Sequence, residues 1–259
     1  MTLFSQAIRL QARRFWYSLA FLVICVPTFG QQAVVSPPLA ADEVMQRVME
    51  MNEVRAKALE NYSSLRSYHL ECHCLSHKKA DMVVRADYRA PNQKEFTIVS
   101  ESGSGTVRHR VFKKLLEAEQ EAMREENQQR SAITPENYTF QLSGYKKTDT
   151  DEFYVLEAKP LTKNKFLFRG HIWVNAKDFA ITRVEGEPAV NPSWWTLKTD
   201  FQRSYRKVGD FWLPESNESE TRVRILGTAV LTINYGEYQI TEAPGVRTTS
   251  SSEKPSNGD

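Results

Sequence analysis

The chain is poor in the groups from which active sites are usually built, with three cysteines and five histidines in 259 residues. It contains no G-x-S-x-G, no H-E-x-x-H and no glycine-rich loop ending in Lys-Ser/Thr, which removes the usual signatures of serine hydrolases, zinc proteases and nucleotide binders. C-x-x-C and C-x-x-C-H are missing too, so neither a redox pair nor haem attachment is encoded. Charge of one sign is also scarce. Without Met1 to Gly30, which carry Arg9, Arg13 and Arg14 and no acid, the 34 basic residues become 34 − 3 = 31 against 32 acidic ones. No Lys/Arg cluster offsets that neutrality, and a chain without a basic stripe is not a nucleic-acid binder.

Long apolar runs are scarce as well. The one near the start, Phe15 to Val26, is about 12 residues, well short of the roughly 20 that a spanning helix needs. Preceded by three arginines and followed by "PTFG", it reads as a secretory signal peptide over residues 1–30, and Cys25 belongs to its apolar segment. A linker (31–41), one domain (42–240) and a Pro/Ser/Gly-rich disordered tail (241–259) are expected to follow. With 41% hydrophobic and 25% charged residues the chain has ample material for one core.

Two periodicities divide that domain. From Ala41 to Tyr62, Val44, Val48, Met51, Ala58 and Tyr62 recur at helical spacing, with Asp42 and Glu43 in the first turn, where they suit the positive end of the helix dipole. From Tyr68 onward alternation takes over: Met82, Val84, Ala86 and Tyr88; Phe96 and Ile98; Tyr138, Phe140 and Leu142; then Phe166 and Phe168; Ile172 and Val174. It continues through Trp195, Leu197, Phe201 and Tyr205, then Val223 and Ile225, then Leu231 and Ile233. Short turns such as "APNQ", "NAKD" and "KVGD" separate the segments, which favours an antiparallel meander of nine or ten strands with one buried face. A second amphipathic helix is expected within Val107 to Glu126, with Val111, Leu115, Ala118 and Ala122 on its apolar side. So long a sheet tends to curl. The expected fold is α+β, an incomplete antiparallel β-barrel whose curled sheet carries helices over an apolar concave face.

The stretch "SYHLECHCLSH", Ser67 to His77, imitates a metal or redox site. Read as a strand, it sends Tyr68, Leu70, Cys72 and Cys74 to one face and His69, Glu71, His73 and His77 to the other. Thiols and imidazoles on opposite faces cannot share one ion. A Cys72–Cys74 bridge would span roughly 6.8 Å between Cα atoms, at the upper limit for a disulfide. The cysteines are therefore expected to be small buried hydrophobes and the histidines a solvated face. His109 and His171 stand without an evident acid or nucleophile. The Glu185/Glu187 and Glu218/Glu220 pairs read as solvated charges, and the tryptophans, Trp173, Trp194, Trp195 and Trp212 among them, as packing at rims and turns.

The C-terminal half carries sharper patterns: "IWVNAKDFAITRVEGEP" (Ile172 to Pro188), "NPSWW", and "YRKVGDFWLPES" (Tyr205 to Ser216) with its G-x-[FW]-[WL]-P turn. "ENYTFQL" and "LTINYGEYQI" accompany them. In these the chain resembles the outer-membrane lipoprotein-sorting (LolA-like) family, in particular a branch found in acidobacteria, over roughly Asp42 to Ile240. That resemblance implies a half-open barrel around helices, periplasmic location, and a hollow that holds acyl chains of lipids or lipoproteins without catalysis. No cofactor, metal ligand or catalytic residue is expected, and the protein is expected to be a monomer. The residues expected to line the hollow are Leu70, Val84, Phe96, Ile98, Phe166, Phe168, Ile172, Trp195, Leu197, Phe201, Val223, Ile225, Leu231 and Ile233. The alternative reading is an envelope-stress sensor or regulatory module that meets an envelope protein partner through the same fold.

Overall fold

The computed structural model describes residues 39–74, 77–191, 196–224 and 227–243. The expected signal peptide, most of the expected linker, Trp194, Trp195, Ile225 and the tail beyond residue 243 lie outside them. The described chain opens with α1 (Ala41–Ala58), where the Glu43 carboxylate accepts the Ala40 N–H at 3.1 Å and so satisfies one of the helix's open donors. Val44, Met45 and Val48 form its inner stripe and are fully buried, contributing about 1.5–3 kcal/mol each from removal of apolar surface from water.

The helix does not reach Tyr62. At Leu59 the backbone turns extended and β1 (Leu59–Cys74) begins at once. Three strands follow in sequence, β1, β2 (Lys79–Arg89) and β3 (Gln93–Gly103). Then comes a helical stretch built from α2 (Gly105–Val107), a π-helical turn (Arg108–Phe112), α3 (Lys113–Ala122) and α4 (Glu125–Ser131). Seven more strands complete the chain: β4 (Tyr138–Lys147), β5 (Glu152–Pro160), β6 (Phe168–Asn175), β7 (Ile181–Pro188), β8 (Thr196–Val208), β9 (Phe211–Val223) and β10 (Gly227–Glu242).

All ten strands join one antiparallel sheet in the order β3-β2-β1-β10-β9-β8-β7-β6-β5-β4. Every neighbouring pair is consecutive in sequence except β1 and β10, which meet along almost their full lengths, from Leu59 opposite Glu242 to Cys74 opposite Gly227. The sheet curls without closing, and its free edges, β3 and β4, are the two ends of the helical connection. Tight hairpins make the meander possible. In the "KVGD" turn between β8 and β9, Gly209 holds φ at +59°, a region that glycine enters without a Cβ penalty.

The concave face carries three apolar clusters. One lies under α1 and takes in Tyr138, Leu156, Phe168, Ile172, Val174 and Val184 from β4 to β7. A second lies under the α2–α3 stretch and takes in Tyr68, Leu70, Ala80, Met82, Val84 and Ile233 from β1, β2 and β10. A third, with Ala58, Tyr62, Phe211, Leu213 and Tyr238, sits where α1 meets β1 and the β8–β9 turn.

The π-helical turn changes the face of the second helix. An i→i+5 turn inserts one residue into the helical phase, so the buried positions are Val107, Phe112 and Leu116, with Val111 and Leu115 only partly covered and Ala118 exposed. Arg108, awkward at a helix start, is held by Glu101 at 3.0 Å.

Candidate functional site

The face assignment of β1 holds for the opening motif. Tyr68 and Leu70 are buried, while His69, His73 and His77 are exposed. His69 Nδ1 lies 2.6 Å from Asp81 Oδ1 across the β1–β2 pair, and the Ser102 hydroxyl donates to Asp81 Oδ2 at 3.4 Å from β3. This row of Ser, Asp and His is no catalytic relay, because the serine reaches the carboxylate and not the imidazole that would have to take its proton. Among the described residues no group of three His, Cys, Asp or Glu side chains is arranged to hold a metal ion.

Cys72 corrects the sequence reading. It is disulfide-bonded and not a free thiol, its partner lying outside the described side chains. The β1–β2 register runs to Glu71 opposite Lys79. The next residue keeps the same antiparallel count, the Cys72 N–H donating to the Lys78 carbonyl at 2.8 Å, and β1 stays paired with β10 as far as Cys74 opposite Gly227, so Cys72 is bonded from within a regular strand.

The same phase, followed backwards from Tyr68, puts Arg66, Ser64 and Tyr62 on the concave face. Arg66 is accordingly 1% exposed and Leu65 beside it 48% exposed, the reverse of what their side chains prefer. A polar cluster accommodates the arginine. Arg66 Nη1 donates to both Glu119 oxygens at 3.0 Å, and Lys94 Nζ donates to the same carboxylate at 2.6 Å. The guanidinium also lies over the rings of Tyr235, at 4.8 Å, and Phe96, at 5.5 Å. Burial works to raise the Glu119 pKa, but Lys94 and Arg66 outweigh it and hold the carboxyl below its usual range. Burial likewise disfavours charge on Arg66, but Glu119 together with Tyr235, Tyr62 and Tyr68 more than offsets it, so its pKa is raised. The cluster ties β1 and β3 to α3.

Between the cover made by α1 and the cover made by α2–α3 runs an uncovered strip of concave face on β8, β9 and β10. Cross-strand pairing fixes its members: Phe201, Ser219 and Leu231 in one row, and Arg203 and Asn217 in the next, which ends on Ile233, already buried under the α2–α3 cover. Phe201 packs edge-on against Phe168, 5.8 Å between ring centres, and stays half-buried, as do Ser219 and Leu231. Thr199 and Thr221 extend the strip with a hydroxyl–hydroxyl hydrogen bond of 3.1 Å. The concave face is therefore not uniformly apolar.

The expected lining residues divide accordingly. Leu70, Val84, Phe168, Ile172 and Ile233 are buried beneath the helices, as core and not as open wall. Phe201, Leu231 and Val223 are half-buried on the strip and at its end, and Phe166 is half-buried in the loop before β6. Phe96 and Ile98 line a groove of about 580 Å³ between β3 and the helical connection, shared with Arg108, His109 and Lys113. Two of the expected residues are largely exposed. Ile98 is 50% exposed because it stands on an edge strand where the helix covers Met82 and Val84 but not the rim. Leu197 is 54% exposed because a register shift between Thr196 and Lys198 throws it out of alternation. Trp195 and Ile225 fall outside the described residues. Arg66, Lys94, Glu119, Arg203 and Asn217 were missed, although extending the Tyr68 phase by one step would have found Arg66.

The convex face carries a second groove, about 480 Å³, beside His171, Glu185, Asp200, Glu218 and Glu220. Glu185 and Asp200 are paired there with Arg183 at 2.5 Å and Lys198 at 2.7 Å. At the far end of the barrel Asp178 gathers Lys207 at 3.1 Å, the Trp212 indole N–H at 2.8 Å and Arg55 of α1, which also donates to the Asp178 carbonyl. That knot anchors α1 over the sheet. No helix among the described residues is long and apolar enough to cross a membrane.

Similarity to known proteins is distant. A putative outer membrane lipoprotein-sorting protein domain from Vibrio parahaemolyticus is 11% identical, over 80% of this chain and 94% of that one, with a TM-score of 0.40. A DUF1329 family protein from Desulfovibrio piger is 12% identical over 78% and 93%, with a TM-score of 0.38. A LolA superfamily protein from Nitrosomonas europaea is 12% identical over 80% and 96%, with a TM-score of 0.34. No curated protein sequence matches the chain. Residues 77–239, from just before β2 to near the end of β10, match a family described only as one of unknown function, and the chain belongs to that family, DUF5686.

Proposed function

We propose that the chain is a periplasmic, noncatalytic carrier-like protein that holds acyl chains of a lipid or lipoprotein on the concave strip between its two helical covers. The observation that carries this reading is the gap itself: Phe201, Leu231 and Val223 remain half-open to solvent on the inner face of a curled sheet, while the strands on either side are covered by helix. Apolar surface left open inside a concave fold favours an apolar occupant. Each methylene buried there contributes about 0.8 kcal/mol, so a partly enclosed chain binds usefully. Arg9, Arg13 and Arg14 ahead of the apolar run to Val26 support export.

Native mass spectrometry of protein purified gently from its own envelope tests the proposal. An adduct of lipid mass, lost on extraction with organic solvent, is the expected result. A protein that is consistently empty overturns it.

A further inference from the structure

The strip that the acyl-chain reading uses has one feature which that reading does not need. Arg203, on β8 between Phe201 and Tyr205, is exposed although it belongs to the concave face. Its register neighbours fix the direction: Val184 on β7, which is core under α1, and Asn217 on β9, itself opposite the buried Ile233. Tyr205, which also hydrogen-bonds the guanidinium, raises its pKa together with Tyr235 and, from α3, Glu119, against the opposing effect of burial. No carboxylate lies within ion-pair distance of it among the described residues, whereas Glu119 is already engaged by Arg66 and Lys94. Among the described residues the concave side holds three cations around this point, Arg66, Lys94 and Arg203, against the one carboxylate of Glu119. The Asn217 Oδ1 on the neighbouring strand is buried and has no hydrogen-bond partner among the described residues.

A guanidinium on an inner wall, with its charge-pairing capacity unused, is suited to one kind of occupant. Resting on the acyl-chain reading, we infer that the hollow takes an anionic amphiphile, whose phosphate or carboxylate head meets Arg203 while its chain lies along Phe201 and Leu231. The planar donor fork of arginine matches either oxyanion with two parallel hydrogen bonds. Phe201 and Arg203 are two residues apart on the same face, roughly 7 Å along the strand, which suits a head and the first methylenes of its chain. A neutral amphiphile would leave the guanidinium without a counter-charge.

The test compares three single-chain ligands on the full chain by displacement of the neutral probe 1-aminoanthracene: palmitate, 1-palmitoyl lysophosphatidylglycerol and 1-monopalmitoylglycerol. Either anion, or both, binds about tenfold or more tightly than the neutral glyceride, the usual worth of a charge-assisted bond. Which anion is favoured identifies carboxylate or phosphate as the head. Arg203→Met brings the favoured anion down to the level of the glyceride without changing glyceride affinity, and Arg203→Lys restores most of the preference. Because Arg203 is exposed, both variants melt within a few degrees of the parent, which circular dichroism checks. Equal binding of all three ligands, or a preference that survives Arg203→Met, overturns this inference and leaves the acyl-chain reading standing. Failure of the glyceride together with both anions overturns the acyl-chain reading as well.

Discussion

Replacing Glu119 by Gln removes the only carboxylate among the described residues that is paired with Arg66 and Lys94 in the concave cluster. Arg66 has no side-chain exposure, and its Nε and Nη2 have no hydrogen-bond partner even with Glu119 in place. Leaving such a charge without its counter-ion costs about 3–5 kcal/mol in a dry interior. Glu119 is 32% exposed, so water recovers part of this, and a loss of about 2–4 kcal/mol is expected. For a domain of this size that lowers the melting temperature by roughly 5–15 °C. Arg66→Met behaves differently: it removes the charge together with its desolvation, keeps the volume, and gives up two ring contacts, so it costs about 1 kcal/mol or less. In the Arg66→Met background, Glu119→Gln then costs about 2 kcal/mol less than it does alone. Urea denaturation of the four proteins closes the cycle. A Glu119→Gln cost below about 1 kcal/mol, or an Arg66→Met cost equal to it, would refute the claim that charge compensation holds this cluster together.

The remaining predictions concern other parts of the fold. The Glu119 pKa is lowered in the folded protein, so the carboxylate's contribution is complete above the usual value of 4.5 and is lost as pH falls below 4.5 through the folded pKa; melting curves on the acid side should be steeper for the parent than for Arg66→Met. Gly170→Ala would place a Cβ 1.9 Å from the Glu185 carbonyl oxygen, where β6 and β7 approach through Gly170 and Gly186, and costs about 1–3 kcal/mol or abolishes soluble expression. Gly144→Ala, with nothing within 4 Å, is the neutral control in the same melting assay. Asp178→Asn discharges the knot that binds Arg55 and Lys207 and costs about 1–2 kcal/mol, with amide exchange quickening first in the last turns of α1; unchanged exchange there would show that the knot does not hold the helix.

Much of the architecture was legible because one face of the sheet is covered and one is wet, which imprints period two on strand after strand. The start of α1 was legible from Asp42 and Glu43. Its end was not, since Tyr62 fits helical spacing from Ala58 and also the strand phase of Ser64 and Arg66. The π-helical turn left no mark, and it moved the buried side from Val111 and Leu115 to Phe112 and Leu116. The site was harder still. Apolar alternation finds the positions that helices cover, such as Ile172 and Val84, and these are the ones unavailable to a ligand. On β9 the inner positions are Asn217, Ser219 and Thr221, whose polarity hid the face that the register assigns to them.

The pairing of the first strand with the last also orders events in time. β1 gains its β10 partner only after nearly the whole domain exists, so the chain closes a loop of well over a hundred residues to complete the sheet. Local hairpins among β1–β3 and among β4–β9 can form early, as two separate islands, but each then exposes an unpaired edge until β10 fits between them. Folding is consequently slow relative to a domain of local contacts, and a chain truncated before Gly227 would split into two sticky half-sheets instead of a slightly smaller barrel.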